Sequence, residues 1–161
     1  MASASDPDAA AEYLRRALQA QMSGDFATAI DLYQRSIGCC PTAEAHTFLG
    51  WTYSFQGRLQ DAIDECQKAI AVDPTFGNPY NDIGAYLIEM GRPDEAIPWL
   101  ERATRAARYE SPHFPRLNLA RVYLGKEMYS RALAQFEAVL ELQPDHVPAQ
   151  RAVAAIRRKL N

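Results

Sequence analysis

Along almost the whole chain, apolar and small residues recur at spacings of three and four, the period of one face of a helix. The stretch from 46 to 74 shows the logic. His46, Leu49, Gly50 and Tyr53 share one helical face; a break follows at Gly57-Arg58. Leu59, Ala62, Ile63, Cys66, Ala69 and Ile70 then share a second face that ends at Asp73-Pro74. Gly supplies the turn between the two helices, and Pro cannot continue the second. The pattern predicts a first helix, a tight turn, a second helix and a Pro-marked turn.

This pair recurs. Gly50 and Gly84, Gly57 and Gly91, Ala62 and Ala96, and Ala69 and Ala103 all lie 34 residues apart. Upstream, Gly24 to Gly57, Ala29 to Ala62 and Pro41 to Pro74 are each 33; downstream, Tyr53 to Tyr123, Ala62 to Ala132 and Pro74 to Pro144 are each 70. Four units therefore share one register, with a residue deleted after the first and two inserted after the third. Gly50 and Ala62 let neighbouring helices approach, while Tyr53 and Leu59 fill the gaps between them. The predicted class is all-α, with about nine helices packed antiparallel. A short tail takes residues 1–6, the four units about 7–42, 43–76, 77–112 and 113–144, and a capping helix 145–161.

Several local features refine this. Asp6 before Pro7 reads as a helix cap followed by Pro at the first helical position. Asp145 is expected to cap the last helix, whose Val153, Ile156 and Leu160 form one apolar stripe. Arg157, Arg158 and Lys159 at its end meet the negative pole of the helix dipole. Coherent caps at both ends lead us to expect a self-contained unit. Pro98 lies inside a predicted helix and is expected to bend it, unless it falls near the first turn. The insertion in Arg108-Tyr109-Glu110-Ser111-Pro112 is expected to reshape the turn before the fourth unit.

The repeat resembles the tetratricopeptide repeat (TPR). In the second unit the matching residues are Leu49, Gly50, Tyr53, Gly57, Ala62, Ala69 and Pro74; in the third, Tyr80, Ile83, Gly84, Leu87, Gly91, Ala96, Leu100 and Ala103. The fourth matches at Leu119, Ala120, Tyr123, Tyr129, Ala132, Phe136 and Pro144, the first at Tyr13, Ala17, Gly24, Phe26, Ala29, Tyr33 and Pro41. Arg16 and His46 depart from the pattern, which wants a large apolar residue at each. The resemblance implies a right-handed superhelix, a solenoid whose first helices line an inner groove, and a non-enzymatic scaffold that binds a protein or peptide partner there.

By that register, Phe48, Trp51 and Phe55 face the groove from the second unit; their spacing puts them on one flank, away from the packing face of Leu49, Gly50 and Tyr53. Large exposed rings supply much of the energy of an interface. The third unit contributes Asn78, Asn81 and Asp82 and the fourth Phe114, Asn118 and Arg121. An Asn amide donates to and accepts from a peptide backbone at once, and Arg121 suits a carboxylate. Glu44, Thr47 and Ser54, in the first unit Leu14, Arg15, Leu18, Gln21 and Met22, in the third Ala85, Ile88 and Glu89, and in the fourth Leu117 and Leu124 complete the expected lining. The clamp by which chaperone-tail receptors of the family hold a carboxylate needs Lys and Arg; the corresponding positions, Leu14, Leu18, Phe48, Asn78 and Asp82, are not basic. Small pilotin-type TPR proteins of type IV pilus assembly are similar in their lengthened third unit and in the pairing of Asn81 with Gly84, but the lipid-bearing Cys of that group has no counterpart here.

Composition narrows the function classes. Seventeen Lys and Arg against 20 Asp and Glu leave a net charge of -3, unlike a nucleic-acid binder. No run approaches the roughly 20 apolar residues of a membrane span, and MASASDPDAAAEY has neither the basic nor the apolar part of a secretory signal. Cys39, Cys40 and Cys66, an odd count with no Cys-x-x-Cys spacing, fit a reducing compartment, so a cytoplasmic location is expected. His46, His113 and His146 are scattered, and no catalytic, metal-binding or phosphate-binding motif occurs, so no enzyme, cofactor or metal is expected. Asp61, Asp64 and Glu65 are expected on solvent faces. A second reading is self-assembly into a homo-oligomer, through an apolar face of Leu14, Leu18 and Met22 on the first helix.

Overall fold

The computed structural model describes residues 4–161, so positions 1–3 of the expected tail lie outside the described residues. Among the described residues there are nine helices: α1 Pro7–Met22, α2 Phe26–Cys39, α3 Ala43–Phe55, α4 Leu59–Val72, α5 Asn78–Glu89, α6 Pro93–Thr104, α7 His113–Gly125, α8 Tyr129–Leu142 and α9 Val147–Leu160. Each odd helix packs on the even one that follows, and α9 closes against α8. Odd helices also approach the next odd helix along α1, α3, α5 and α7, whereas among the described residues no two even helices come as close. The odd helices therefore lie on the tighter, inner side of the superhelix.

Small residues set the spacing. Ala17, Ala29, Ala62, Ala96 and Ala132 are fully buried at the crossings. A methyl added at Gly84 would stand 2.4 Å from Leu100 Cδ2, so only glycine admits the α5–α6 contact. Tyr33, Leu49, Ile83, Leu100 and Leu119 fill the remaining interior.

Gly24, Gly57 and Gly91 end the inner helices of the first three units with φ of 81°, 74° and 75°. The fourth unit reaches the same left-handed corner with Glu127, at φ 57°. Such backbone costs an L residue energy that glycine avoids.

At the chain's start, Asp6 Oδ1 accepts from the Ala9 amide at 3.0 Å, as the Asp-Pro pair predicts. At the other end the cap is not Asp145. His146 caps α9, its Nδ1 accepting from the Ala149 amide at 3.1 Å, and Asp145 is exposed. Pro148 sits in the first turn, one residue later than an Asp145 cap requires. Helix α6 runs through Pro98 without interruption.

Glu65 also departs from expectation: it is buried rather than on a solvent face. Its partner is the other irregular position, His46, whose Nδ1 lies 2.8 Å from Glu65 Oε2 across α3–α4. Lys68 Nζ donates to Oε1 at 2.8 Å. Burial pushes the Glu65 carboxyl up, but hydrogen bonds from His46 and Lys68 outweigh it and hold the group below its ordinary value.

The inserted residues lie in the loop 105–112. It runs beside the turn between α4 and α5: the Gly77 amide donates to the Arg108 carbonyl at 3.0 Å, and the Arg108 amide to the Thr75 carbonyl at 3.0 Å. The loop is thus tied to the preceding unit's turn and delivers its side chains to the inner face.

Candidate functional site

Because Leu49, Gly50 and Tyr53 are spent on packing, the flank of α3 that carries Thr47, Phe48 and Trp51 turns toward the inner side. Asn78, Asn81 and Asp82 of α5 face it, and Phe114 closes the far end from α7. These residues, with Tyr109 and Ser111 of the loop, line an open cleft of about 410 Å³.

Its walls differ in exposure. Trp51 is 43% exposed and Phe114 49% exposed. Phe48 is half-buried, stacked on Tyr33 of α2 with centroids 6.3 Å apart, yet its ring still lines the cleft. Phe55, 54% exposed, lies beyond the cleft lining. It stacks on Phe26 at 5.4 Å and touches Trp51 at 5.1 Å, so the aromatic stripe bends round the rim toward α2.

The amides are joined to one another. Asn118 Nδ2 donates to Asn81 Oδ1 at 2.9 Å, which pins α7 to α5. Arg121 in turn donates to Asn118 Oδ1 at 3.2 Å and remains exposed, outside the cleft lining. Asn78, half-buried, lines the cleft. In the first unit Gln21 is buried and accepts from the Tyr33 hydroxyl. Leu14 and Leu18 pack against the core, which leaves Met22 as the exposed apolar residue of that expected face.

Asp82 sits between the aromatic walls. Burial raises its carboxyl to about 7, against a smaller opposite pull from the Asn81 amide beside it. Among the described residues no Lys, Arg or His forms an ion pair with it.

The register missed Tyr109, Ser111 and Arg108. The insertion marks where a loop is free to vary, but not where it folds. Tyr109 packs so closely on the chain at Gly77 that a Cβ there would stand 2.6 Å from its ring. Arg108 bonds Glu44 of α3 at 2.7 Å and Asp73 at 2.7 Å, with its guanidinium 4.2 Å from the Phe76 ring centroid. Glu44, expected as open lining, is therefore paired.

Among the described residues, no three His, Cys, Asp or Glu side chains are grouped to hold a metal, and no helix is long and apolar enough to cross a membrane.

Sequence profiles described as tetratricopeptide repeat match residues 43–76 and 77–145. A small glutamine-rich tetratricopeptide repeat-containing protein 2 from Mycosarcoma maydis is 33% identical over 96 residues, 58% of this chain. The chain spans only 27% of that protein's length. Among solved structures, Pseudomonas aeruginosa pilF superposes with a TM-score of 0.85 at 24% identity, covering 94% of this chain and 69% of that one. YrrB, described as a TPR protein with an unusual peptide-binding site, gives a TM-score of 0.69 at 23% identity, covering 91% of this chain and 75% of that one. The TPR fold is a general protein–protein interaction scaffold. With its repeat matched from residue 43 to 145 and its helix pairs stacked in the same way, the chain belongs to the tetratricopeptide repeat family.

Proposed function

We propose that the chain is a non-enzymatic scaffold that holds a peptide segment of a protein partner in the cleft between α3, α5 and α7. The observation that carries this is the exposure of Trp51 and Phe114 on two helices that border one cleft. Fully burying one such ring contributes roughly 1.5–3 kcal/mol. Phe48 forms part of the floor. Asn78 and Asn81 supply amides for a peptide backbone, with Asn118 setting the orientation of Asn81 and Arg121 fixing Asn118. Phe55 extends the apolar rim for a longer segment.

The three unbridged cysteines support a reducing, cytoplasmic setting for this binding. A pilotin-like accessory role rests on the likeness to pilF, which at 24% identity is a likeness of fold. Self-assembly draws on Met22, 86% exposed, with Leu14 and Leu18 already engaged in the core.

The test is selection of a random displayed-peptide library on the folded protein, with binding of selected peptides then measured on Trp51→Ala and Phe114→Ala. We expect each substitution to weaken binding by about tenfold or more, with circular dichroism unchanged. Failure to enrich any peptide, or binding by both variants as tight as by the wild type, removes the reading.

A further inference from the structure

Five acidic residues among those described are buried or half-buried: Glu44, Glu65, Asp73, Asp82 and Glu137. Four of them are neutralised within the chain. Glu44 and Asp73 share Arg108, Glu65 meets His46 and Lys68, and Glu137 meets Arg157. Asp82, which lines the cleft with Phe48, Trp51 and Phe114, has no such partner.

Those rings show a parallel asymmetry. Several other rings lie under the chain's own cations: Arg58 lies over Tyr53, Arg102 over Tyr80 and Trp99, Arg108 over Phe76 and Lys159 over Tyr129. No Lys or Arg of the described residues covers Phe48, Trp51 or Phe114. The cleft therefore presents one carboxylate with no ion-pair partner beside three rings that no Lys or Arg covers, Phe48 stacked on Tyr33, Trp51 against Phe55 and Phe114 against His113, and carboxylate and rings attract the same chemical group.

Building on the peptide-binding reading above, we propose that the cleft is specific for a basic side chain, Arg or Lys, of the bound segment, with Asp82 as its counter-ion and Trp51, Phe48 and Phe114 as its aromatic walls. An acidic side chain is repelled there. An apolar one leaves Asp82 covered without a counter-ion, which is the costlier arrangement. Binding is coupled to protons. Near or below pH 7 the cation displaces the proton from Asp82 into solvent, so affinity rises with pH and levels off above the carboxyl's own range. Three other titratable groups feel the Asp82 charge: Cys66 of α4, Tyr86 of α5 and Tyr109 of the loop. Burial raises all three, so they stay neutral across this window.

The experiment runs the displayed-peptide selection in parallel on the wild type and on Asp82→Asn. We expect wild-type peptides to carry Arg or Lys at one fixed position beside apolar positions. The Asp82→Asn selection keeps the apolar preference and loses the basic one. A second measurement needs no variant of the protein: replacing that Arg or Lys of a synthetic selected peptide by norleucine weakens binding to the wild type at least tenfold at pH 8, and less at pH 5.5. Apolar peptides without a basic position, or a basic position unchanged by Asp82→Asn and by pH, overturn this inference and leave the peptide-binding reading standing. Peptides with a fixed acidic position overturn it too. Enrichment of no peptide by either protein overturns both.

Discussion

Arg108, carried by the lengthened loop between the third and fourth units, bonds Glu44 of α3 at 2.7 Å across 64 residues of chain. The same guanidinium bonds Asp73 and lies over Phe76, so one side chain ties the loop to two earlier elements. That tie holds Tyr109 and Ser111 in the cleft wall.

Removing the tie frees the loop with little effect on the rest of the molecule. Each member of the cluster is substantially exposed, and exposed pairs contribute weakly. For Arg108→Ala we expect a melting temperature within about 3 °C of the wild type. Amide exchange at Gly77 and Arg108 should rise sharply, since their hydrogen bonds join the two turns. Hydrogen–deuterium exchange read residue by residue checks this; unchanged protection at both amides contradicts it.

Glu127 stands where three other units use glycine. Relief of left-handed strain, about 1–2 kcal/mol, exceeds the added chain entropy of glycine, about 0.5–1 kcal/mol. Glu127→Gly is therefore expected to stabilise the fold by roughly 0.5–1 kcal/mol. The urea midpoint should rise with an unchanged slope; a lower midpoint contradicts the account.

The His46–Glu65 pair gives stability an acid limb. The folded state holds the Glu65 carboxyl below its ordinary 4.5, so its contribution is complete above that value and is lost as pH falls through the depressed one. Glu65→Gln should flatten this part of the stability–pH profile. His46→Ala leaves the buried carboxylate with Lys68 alone and should cost about 1–3 kcal/mol at pH 7. Denaturation midpoints between pH 3 and pH 7 test both.

Asp82 has the opposite sign. Its folded value, about 7, exceeds the unfolded value near 3.8, so the neutral acid favours folding and that advantage is lost as pH rises through 7. Asp82→Asn, neutral throughout, should equal the wild type near pH 4 and exceed it at pH 8, by roughly 1 kcal/mol or more. A variant no more stable than the wild type at pH 8 contradicts the burial of this charge. Water reaching the open side of the cleft keeps the expected difference well below the full shift.

The repeat register alone places the helix pairs, their glycine turns and the packing alanines, because those choices are local: each depends on residues three, four or a few positions away. It also separates the packing flank of α3 from the flank with Trp51 and Phe48, since one helix turn decides that. It does not reveal that Glu65 is buried, because the carboxylate's environment is made by His46 on another helix. The last helix starts one residue later than the Asp145 pattern suggests, because His146 and Pro148 together suit the first turn better. Nor does it show that Asn81 and Asn118 hold each other, or that Tyr109 enters the cleft. Those depend on how far the inner helices of successive units approach and where an inserted loop comes to rest. That no Lys, Arg or His of the described residues forms an ion pair with Asp82 is of the same kind. A carboxylate's partners are set by distance in space, and only the stacking of α3, α5 and α7 with the loop decides which charges come near it.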